Sequence, residues 1–298
     1  MTAESERDRL TLAELAEAGR LVVDGRLDAV VGAVRFGLAE ARAVPARRWA
    51  FAGWALVSAA VGAWTLFFVH RRADATIFAT MTAFAALWFV TAVFAGYIHL
   101  GLVRHEDGTP RRRFLLPNGL TFLRMSLAPL FGFVATLAVE LRPDAPWVFW
   151  PLGFVIASDA MDGQIARTFR MRSEWGRLAD PFSDIFLVTW FAAGLWAGGI
   201  IESWFAVPII IRYGGTLVGV FAVWSGGKPV RVEATLIGKI TNVAVSFALP
   251  SMLGAAMMWS SWRDARAVEI LQYVAATLVY VNLAYYGARL LNYAVSRP

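Results

Sequence analysis

The chain has 298 residues, 58% of them hydrophobic and 17% charged, with 28 basic against 22 acidic side chains and a formal net charge of +6. The apolar residues are gathered into long blocks, which excludes an ordinary soluble domain, and the basic excess at the block ends suits anionic lipid headgroups, with no nucleic-acid partner implied. There is no cysteine, so disulfides and thiolate metal sites are excluded and any bound cation is held by oxygen.

Residues 1–48 are polar enough to stay out of hydrocarbon but carry apolar stripes. Thr11-Leu12-Ala13-Glu14 is a capping box that opens a helix through about Val23; Gly25 interrupts, and a second stretch runs from about Leu27 to Ala41. Apolar residues on one side, with Arg20, Arg26, Arg35 and Arg42 elsewhere, describe cytosolic or interfacial amphipathic helices, or a helical hairpin docked on the protein's own cytosolic face. Glu4, Glu6, Arg7, Asp8 and Arg9 do not have the layout of a cleaved signal peptide. The first span is therefore expected to act as the targeting element.

A spanning helix takes about 20 mainly apolar residues. Eight blocks meet that length, near 49–69, 76–103, 118–139, 146–168, 179–200, 203–224, 236–259 and 268–293. The expected fold is all-α, a polytopic integral membrane helical bundle. Spans one and two form a hairpin with the short turn His70-Arg71-Arg72-Ala73-Asp74, and a linker follows with Arg104, Arg111, Arg112 and Arg113 around Gly108 and Pro110. Eight arginines in the tail and four in the linker, against two in the turn, place tail and linker in the cytosol. The expected division is 1–48 as the amphipathic segment, 49–113 as a two-span extension with its basic linker, and 114–298 as a six-span core. By the same count the turn at 169–178 and the segment 225–238 are cytosolic.

Spans four and five carry the chemistry. Asp159 and Asp162 are i,i+3, and Asp180 and Asp184 are i,i+4, so each pair projects from one helix face. Carboxylates at membrane depth are costly unless paired, solvated or cation-bound. Four in one stretch, without His or Cys, point to Mg²⁺ or Mn²⁺, two per site being plausible chemistry. The alternative is a set of buried aspartates neutralised by Arg167, Arg170 and Arg177, a poor way to hold helices together. Gly163 and Ala166 let a nucleotide or a neighbouring helix approach the backbone. Gly176 marks the turn or the start of span five, and Pro181 is expected to kink or begin a helix. Arg167 offers a planar donor fork to a phosphate or carboxylate.

The string D-x2-D-G-x2-A-R-x8-G-x3-D-x3-D resembles the signature of the CDP-alcohol phosphotransferase (phosphatidyltransferase) family at Asp159, Asp162, Gly163, Ala166, Arg167, Gly176, Asp180 and Asp184. The resemblance implies Asp159, Asp162 and Asp180 as metal ligands, with Asp184 as general base and possible second-metal ligand. It also implies that Gly163, Ala166, Arg167 and Gly176 bind the CDP-lipid. Upstream, Pro117-Asn118-Gly119-Leu120-Thr121-Phe122-Leu123-Arg124 is similar to a segment near the start of the core in phosphatidylglycerophosphate synthases, which adds Asn118, Thr121 and Arg124 to the CDP-lipid site. Capping by Asn118 and snorkelling by Arg124 are the bland reading of that segment. Arg212, in an apolar run, and the Gly238-Lys239 pair resemble the acceptor-phosphate residues of phosphatidylglycerophosphate and cardiolipin synthases. Tyr213 stands where an acidic residue commonly follows that arginine, and Ile185 where a lysine commonly follows the last aspartate.

The activity so implied is transfer of the phosphatidyl group of CDP-diacylglycerol to an acceptor alcohol with release of CMP. Glycerol-3-phosphate is the expected acceptor, with inositol phosphate and phosphatidylglycerol as alternatives. The expected partners are these substrates, membrane lipids and a second copy in a homodimer. The expected location is the cell membrane, with the site facing the cytosol. An ion or proton transporter using the aspartates is the rival from another class, but it needs polar residues across the whole bilayer, and these cluster at one side.

Overall fold

In the computed structural model each of the eight apolar blocks forms one long helix, which closes the backbone hydrogen bonds that lipid cannot satisfy. The description covers residues 27–105, 109–169, 171–225, 235–261 and 266–295, and for Asp159 and Asp162 it is of the backbone alone. The helices are α1 (Leu27–Ala43), α2 (Pro45–His70), α3 (Ala75–Ile98), α4 (Leu116–Thr136), α5 (Ala145–Thr168), α6 (Glu174–Ala197), α7 (Ser203–Ser225), α8 (Leu236–Met258) and α9 (Arg266–Val295). No strand occurs among the described residues. The expected helix at 11–23, Gly108, Arg170 and residues 226–234 lie outside the described residues.

Six of these helices, α2, α3, α4, α6, α8 and α9, are long and apolar enough to cross a membrane, judged on the described residues. The α5 and α7 helices, of 24 and 23 residues, pack in the same bundle. The apolar surface has two destinations. Of the most apolar stretch of α3 only 6% is buried, and Phe84, Leu87, Val90 and Phe94 face outward, as a lipid-facing helix requires. The corresponding stretch of α4 is 83% buried, and α2, α3, α5 and α6 all pack on it.

The tightest of these contacts is the α4–α6 crossing, where small residues let two backbones meet. A Cβ added to Gly194 would run into the carbonyl of Gly132; one on Gly132 would lie 2.7 Å from the Trp190 carbonyl, and one on Gly198 would lie 2.8 Å from that of Ala135. On the opposite side from the basic linker, Arg72 pairs with Asp144 at 2.7 Å and so ties the α2–α3 turn to the start of α5. Asp74 caps α3 by accepting from Thr76 N at 2.8 Å. The backbone donors of Thr76 and Ile77 hold its carboxyl below the ordinary range.

The helices α2 and α3 and the linker are tied to α4–α6. Arg47, one of the eight arginines of the tail, is 1% exposed. Its Nη1 donates to Leu100 O at 2.8 Å, and its Nη2 and Nε donate to Arg111 O at 2.7 and 3.1 Å. Arg111 in turn donates to Arg172 O at 3.1 Å, which connects the linker to the α5–α6 turn. Phe51 of α2 stacks edge-on with Phe114 and Phe122, Phe114 with Trp175, and the Trp54 indole covers Gly119 so closely that no Cβ fits there.

Candidate functional site

The α5–α6 hairpin brings the signature to one end of the bundle. Ser173 opens α6: its Oγ accepts from Gly176 N at 3.1 Å and donates to Asn118 Oδ1 at 2.8 Å. That cap starts the helix at Glu174, five residues before the apolar block begins at 179. Gly176 therefore lies in the first turn of α6, and Pro181 sits inside the helix instead of beginning it. A Cβ at Gly176 would lie 3.0 Å from Asn118 Oδ1, so this glycine allows the start of α4 to touch the start of α6.

Helix rise then sets the depth of the carboxylates. At 1.5 Å per residue, Asp162 and Asp180 each lie about 9 Å along their helices from the α5–α6 turn, and Asp159 and Asp184 about 14–15 Å. The two pairs thus sit at matching distances from the turn along the two arms. Both arms pack on α4, while among the described residues they make no substantial contact with each other. From this packing we read the space between the arms as a cleft floored by α4.

Asn118, Thr121 and Arg124, all on α4 and each no more than 1% exposed, line that floor. Thr121 Oγ1 donates to Asp180 Oδ1, fixing one carboxylate. Asn118 has its Oδ1 occupied by Ser173, and its buried Nδ2 has no partner among the described residues. Arg124 reaches both walls, from Nη1 to Ser158 Oγ at 3.3 Å and from Nε to Ser183 Oγ at 3.4 Å. Ser158 and Ser183 are the chain neighbours of Asp159 and Asp184, so this guanidinium braces the helices immediately behind the aspartates. Arg124 is fully enclosed, which does not fit snorkelling toward the interface.

On α5, a Cβ added to Gly163 would lie 3.4 Å from Nη1 of Arg167, one turn on, an ordinary contact among the described residues. Ala166 is half-buried and Arg167 exposed. Asp180 and Asp184 are half-buried. Among the described side chains no group of three metal-ligating residues gathers, Asp159 and Asp162 being described by backbone only. The residue types nonetheless fit a hard cation: the signature holds four aspartates and no histidine or cysteine.

A second polar cluster joins α7, α8 and α9. Arg212 Nε donates to Asn282 Oδ1 at 2.6 Å, and its Nη2 donates to Asn242 Oδ1 at 2.7 Å. Tyr213 also donates to Asn242 Oδ1, at 2.9 Å. Lys239 is exposed, near Gly238 in the first turn of α8. Asn242 and Asn282 went unnoticed in the sequence, although each is an amide inside an apolar span and for that reason a candidate for a polar cavity.

The sequence profile of the family described as CDP-alcohol phosphatidyltransferase matches residues 114–286. The cardiolipin synthase (CMP-forming) of Streptomyces coelicolor is 29% identical over 148 residues, 48% of this chain and 66% of that protein. The probable phosphatidylglycerophosphate synthase of Mycobacterium tuberculosis is 31% identical over 134 residues, 41% of this chain and 64% of that protein. The CDP-diacylglycerol–glycerol-3-phosphate 3-phosphatidyltransferase of Pectobacterium atrosepticum is 28% identical over 190 residues, 58% of this chain and 93% of that protein. The chain thus spans just under two thirds of the first two relatives' length. No solved structure matches it.

Proposed function

The chain belongs to the CDP-alcohol phosphatidyltransferase family, and from that premise we propose that it transfers the phosphatidyl group of CDP-diacylglycerol to an acceptor alcohol, releasing CMP. The observation that carries this reading is the way α4 joins the two arms of the signature: Thr121 donates to Asp180, and Arg124 donates to Ser158, next to Asp159, and to Ser183, next to Asp184.

In this reading Asp159, Asp162 and Asp180 are metal ligands, and Asp184 is the base and a second-metal ligand. The chemistry that bound Mg²⁺ or Mn²⁺, two per site, supplies there is neutralisation of the diphosphate and of the charge on departing CMP. Asp184 accepts the proton of the acceptor hydroxyl; the acceptor oxygen bonds to the lipid-side phosphorus as the bond from that phosphorus to the CMP oxygen breaks. Holding the hydroxyl and the phosphorus in line provides much of the acceleration. Asn118 offers its unmatched Nδ2 to the CDP-lipid, Gly163 and Ala166 leave room for it, and Arg167 reaches its phosphates. Gly176 serves the site by letting α4 and α6 meet, and Arg124 acts through the aspartates it braces.

The acceptor we favour is glycerol-3-phosphate, gripped through its phosphate by Arg212 and Lys239. The names of the Mycobacterium and Pectobacterium relatives support this choice. It is tested with purified protein, CDP-diacylglycerol and a panel of labelled alcohols that includes inositol phosphate and phosphatidylglycerol. Phosphatidylglycerol phosphate as the main lipid product is the expected result, and a different main product refutes the acceptor assignment.

The arginine distribution supports a cytosolic site, with 1–48 on that side, 49–113 as a membrane extension and 114–298 as the catalytic core. Single cysteines read the orientation, since the chain has none of its own. Arg71→Cys in the α2–α3 turn is expected to react with an impermeant thiol reagent in intact cells, and Thr109→Cys in the linker only after the membrane is opened. Equal labelling of both in intact cells removes the cytosolic placement.

A further inference from the structure

Arg212 is held by neutral groups on every side the structure describes. Nε meets Asn282 Oδ1, Nη2 meets Asn242 Oδ1 and, at 3.4 Å, Gly238 O. The Tyr213 ring lies 4.4 Å from Cζ. No carboxylate pairs with it among the described residues. Two buried donors at this place have no partner: Nη1 of Arg212 and Nδ2 of Asn282. Asn282 is 0% exposed, and the bond from Arg212 Nε requires its oxygen to face the guanidinium, which fixes the amide nitrogen as the unmatched end. Buried donors are ordinarily satisfied, so two unmatched ones on hydrogen-bonded neighbours call for an acceptor.

Here two asparagines orient the guanidinium and leave its charge intact. Tyr213, next in the chain, also donates to Asn242 Oδ1, so one amide holds both side chains. We infer that Asn282 is a specificity-determining residue and Asn242 a positioning residue of the acceptor site. Together they aim Arg212 Nη1 and Asn282 Nδ2 at one phosphate group, so that the enzyme selects phosphorylated alcohols over neutral ones. The inference deepens the transferase reading above and rests on it for the identity of the bound molecule as acceptor.

Asn282→Asp separates this role from a structural one. The substitution keeps the size and the oxygen that Nε needs, adds a negative charge against Arg212 and removes the Nδ2 donor. If the cluster only holds helices together, the new ion pair preserves both thermal stability and kinetics. The inference instead predicts a melting temperature equal to or above that of the parent, with the KM for sn-glycerol 3-phosphate raised about tenfold or more and the KM for CDP-diacylglycerol unchanged.

A second readout is independent of turnover: calorimetric binding of sn-glycerol 3-phosphate, with glycerol as the neutral probe, to the detergent-solubilised full chain. The parent is expected to bind the phosphate ester and not glycerol. Asn282→Asp is expected to lose that binding, as is Asn242→Asp, whose exposed site makes it the variant to use if the first fails to fold. Undiminished binding in the variants, or no binding in the parent, overturns the inference. Binding that depends on Asn282 in a parent that releases no CMP would leave the phosphate cradle standing and remove the transferase reading alone.

Discussion

Asp184→Asn is expected to lower kcat by about 10²–10⁴-fold, the range that a positioned general base contributes, with little change in the KM for the CDP-lipid. The amide occupies the same space as the carboxylate but carries no charge and accepts no proton. Its neighbour Ser183 stays braced by Arg124, and Thr121 still holds Asp180, so the cleft keeps its shape and three of the four carboxylates remain. The check is steady-state CMP release at saturating acceptor, alongside a thermal melt to show that the fold is unchanged. A kcat close to that of the parent removes Asp184 from its role as base. A loss in KM alone would make it a binding residue.

Gly194→Leu is expected to destroy the bundle. At this position a side chain has no space to enter, because the group in its way is the backbone carbonyl of Gly132. Overpacking an ordinary core costs about 1–3 kcal/mol because neighbouring side chains can shift; the hydrogen-bonded backbone of α4 cannot yield in that way. The expected result is a chain that does not give a monodisperse peak in detergent. Gly153→Ala on α5, where nothing lies within 4 Å of the new methyl, is expected to behave as the parent. Normal assembly of Gly194→Leu would mean that the α4–α6 crossing is looser than described.

Much of the fold was legible because lipid leaves the backbone few options: eight long apolar blocks became eight long helices. The ends were less legible where a local bond outweighed composition. Glu174, Arg177 and Asp180 make the start of α6 look like a polar loop, yet the Ser173 cap and the buried Trp175 extend the helix through them. Pro181 is accommodated inside α6 at the loss of one backbone donor. Arg47 looked like a topological charge because its partners are backbone carbonyls 53 and 64 residues away, and a carbonyl has no sequence signature. At the site, helical spacing placed Asp159 with Asp162 and Asp180 with Asp184, each pair on one helix face. The contacts that hold them, Thr121 to Asp180 and Arg124 to Ser158 and Ser183, depend on how α4 lies between α5 and α6, which periodicity does not specify. The asparagines around Arg212 were overlooked for a different reason: uncharged amides stand out less than ions, although each raises the same question of what satisfies it.

The central claim is that the cleft joins an acceptor oxygen to the phosphatidyl group and expels CMP. It is tested most directly by counting both products from purified protein given CDP-diacylglycerol, Mg²⁺ or Mn²⁺ and glycerol-3-phosphate. The account predicts one CMP per molecule of new phospholipid, none of either without acceptor, and loss of both when the divalent cation is chelated. CMP released without a matching lipid product, or lipid product formed at full rate by the chelated protein, would contradict it.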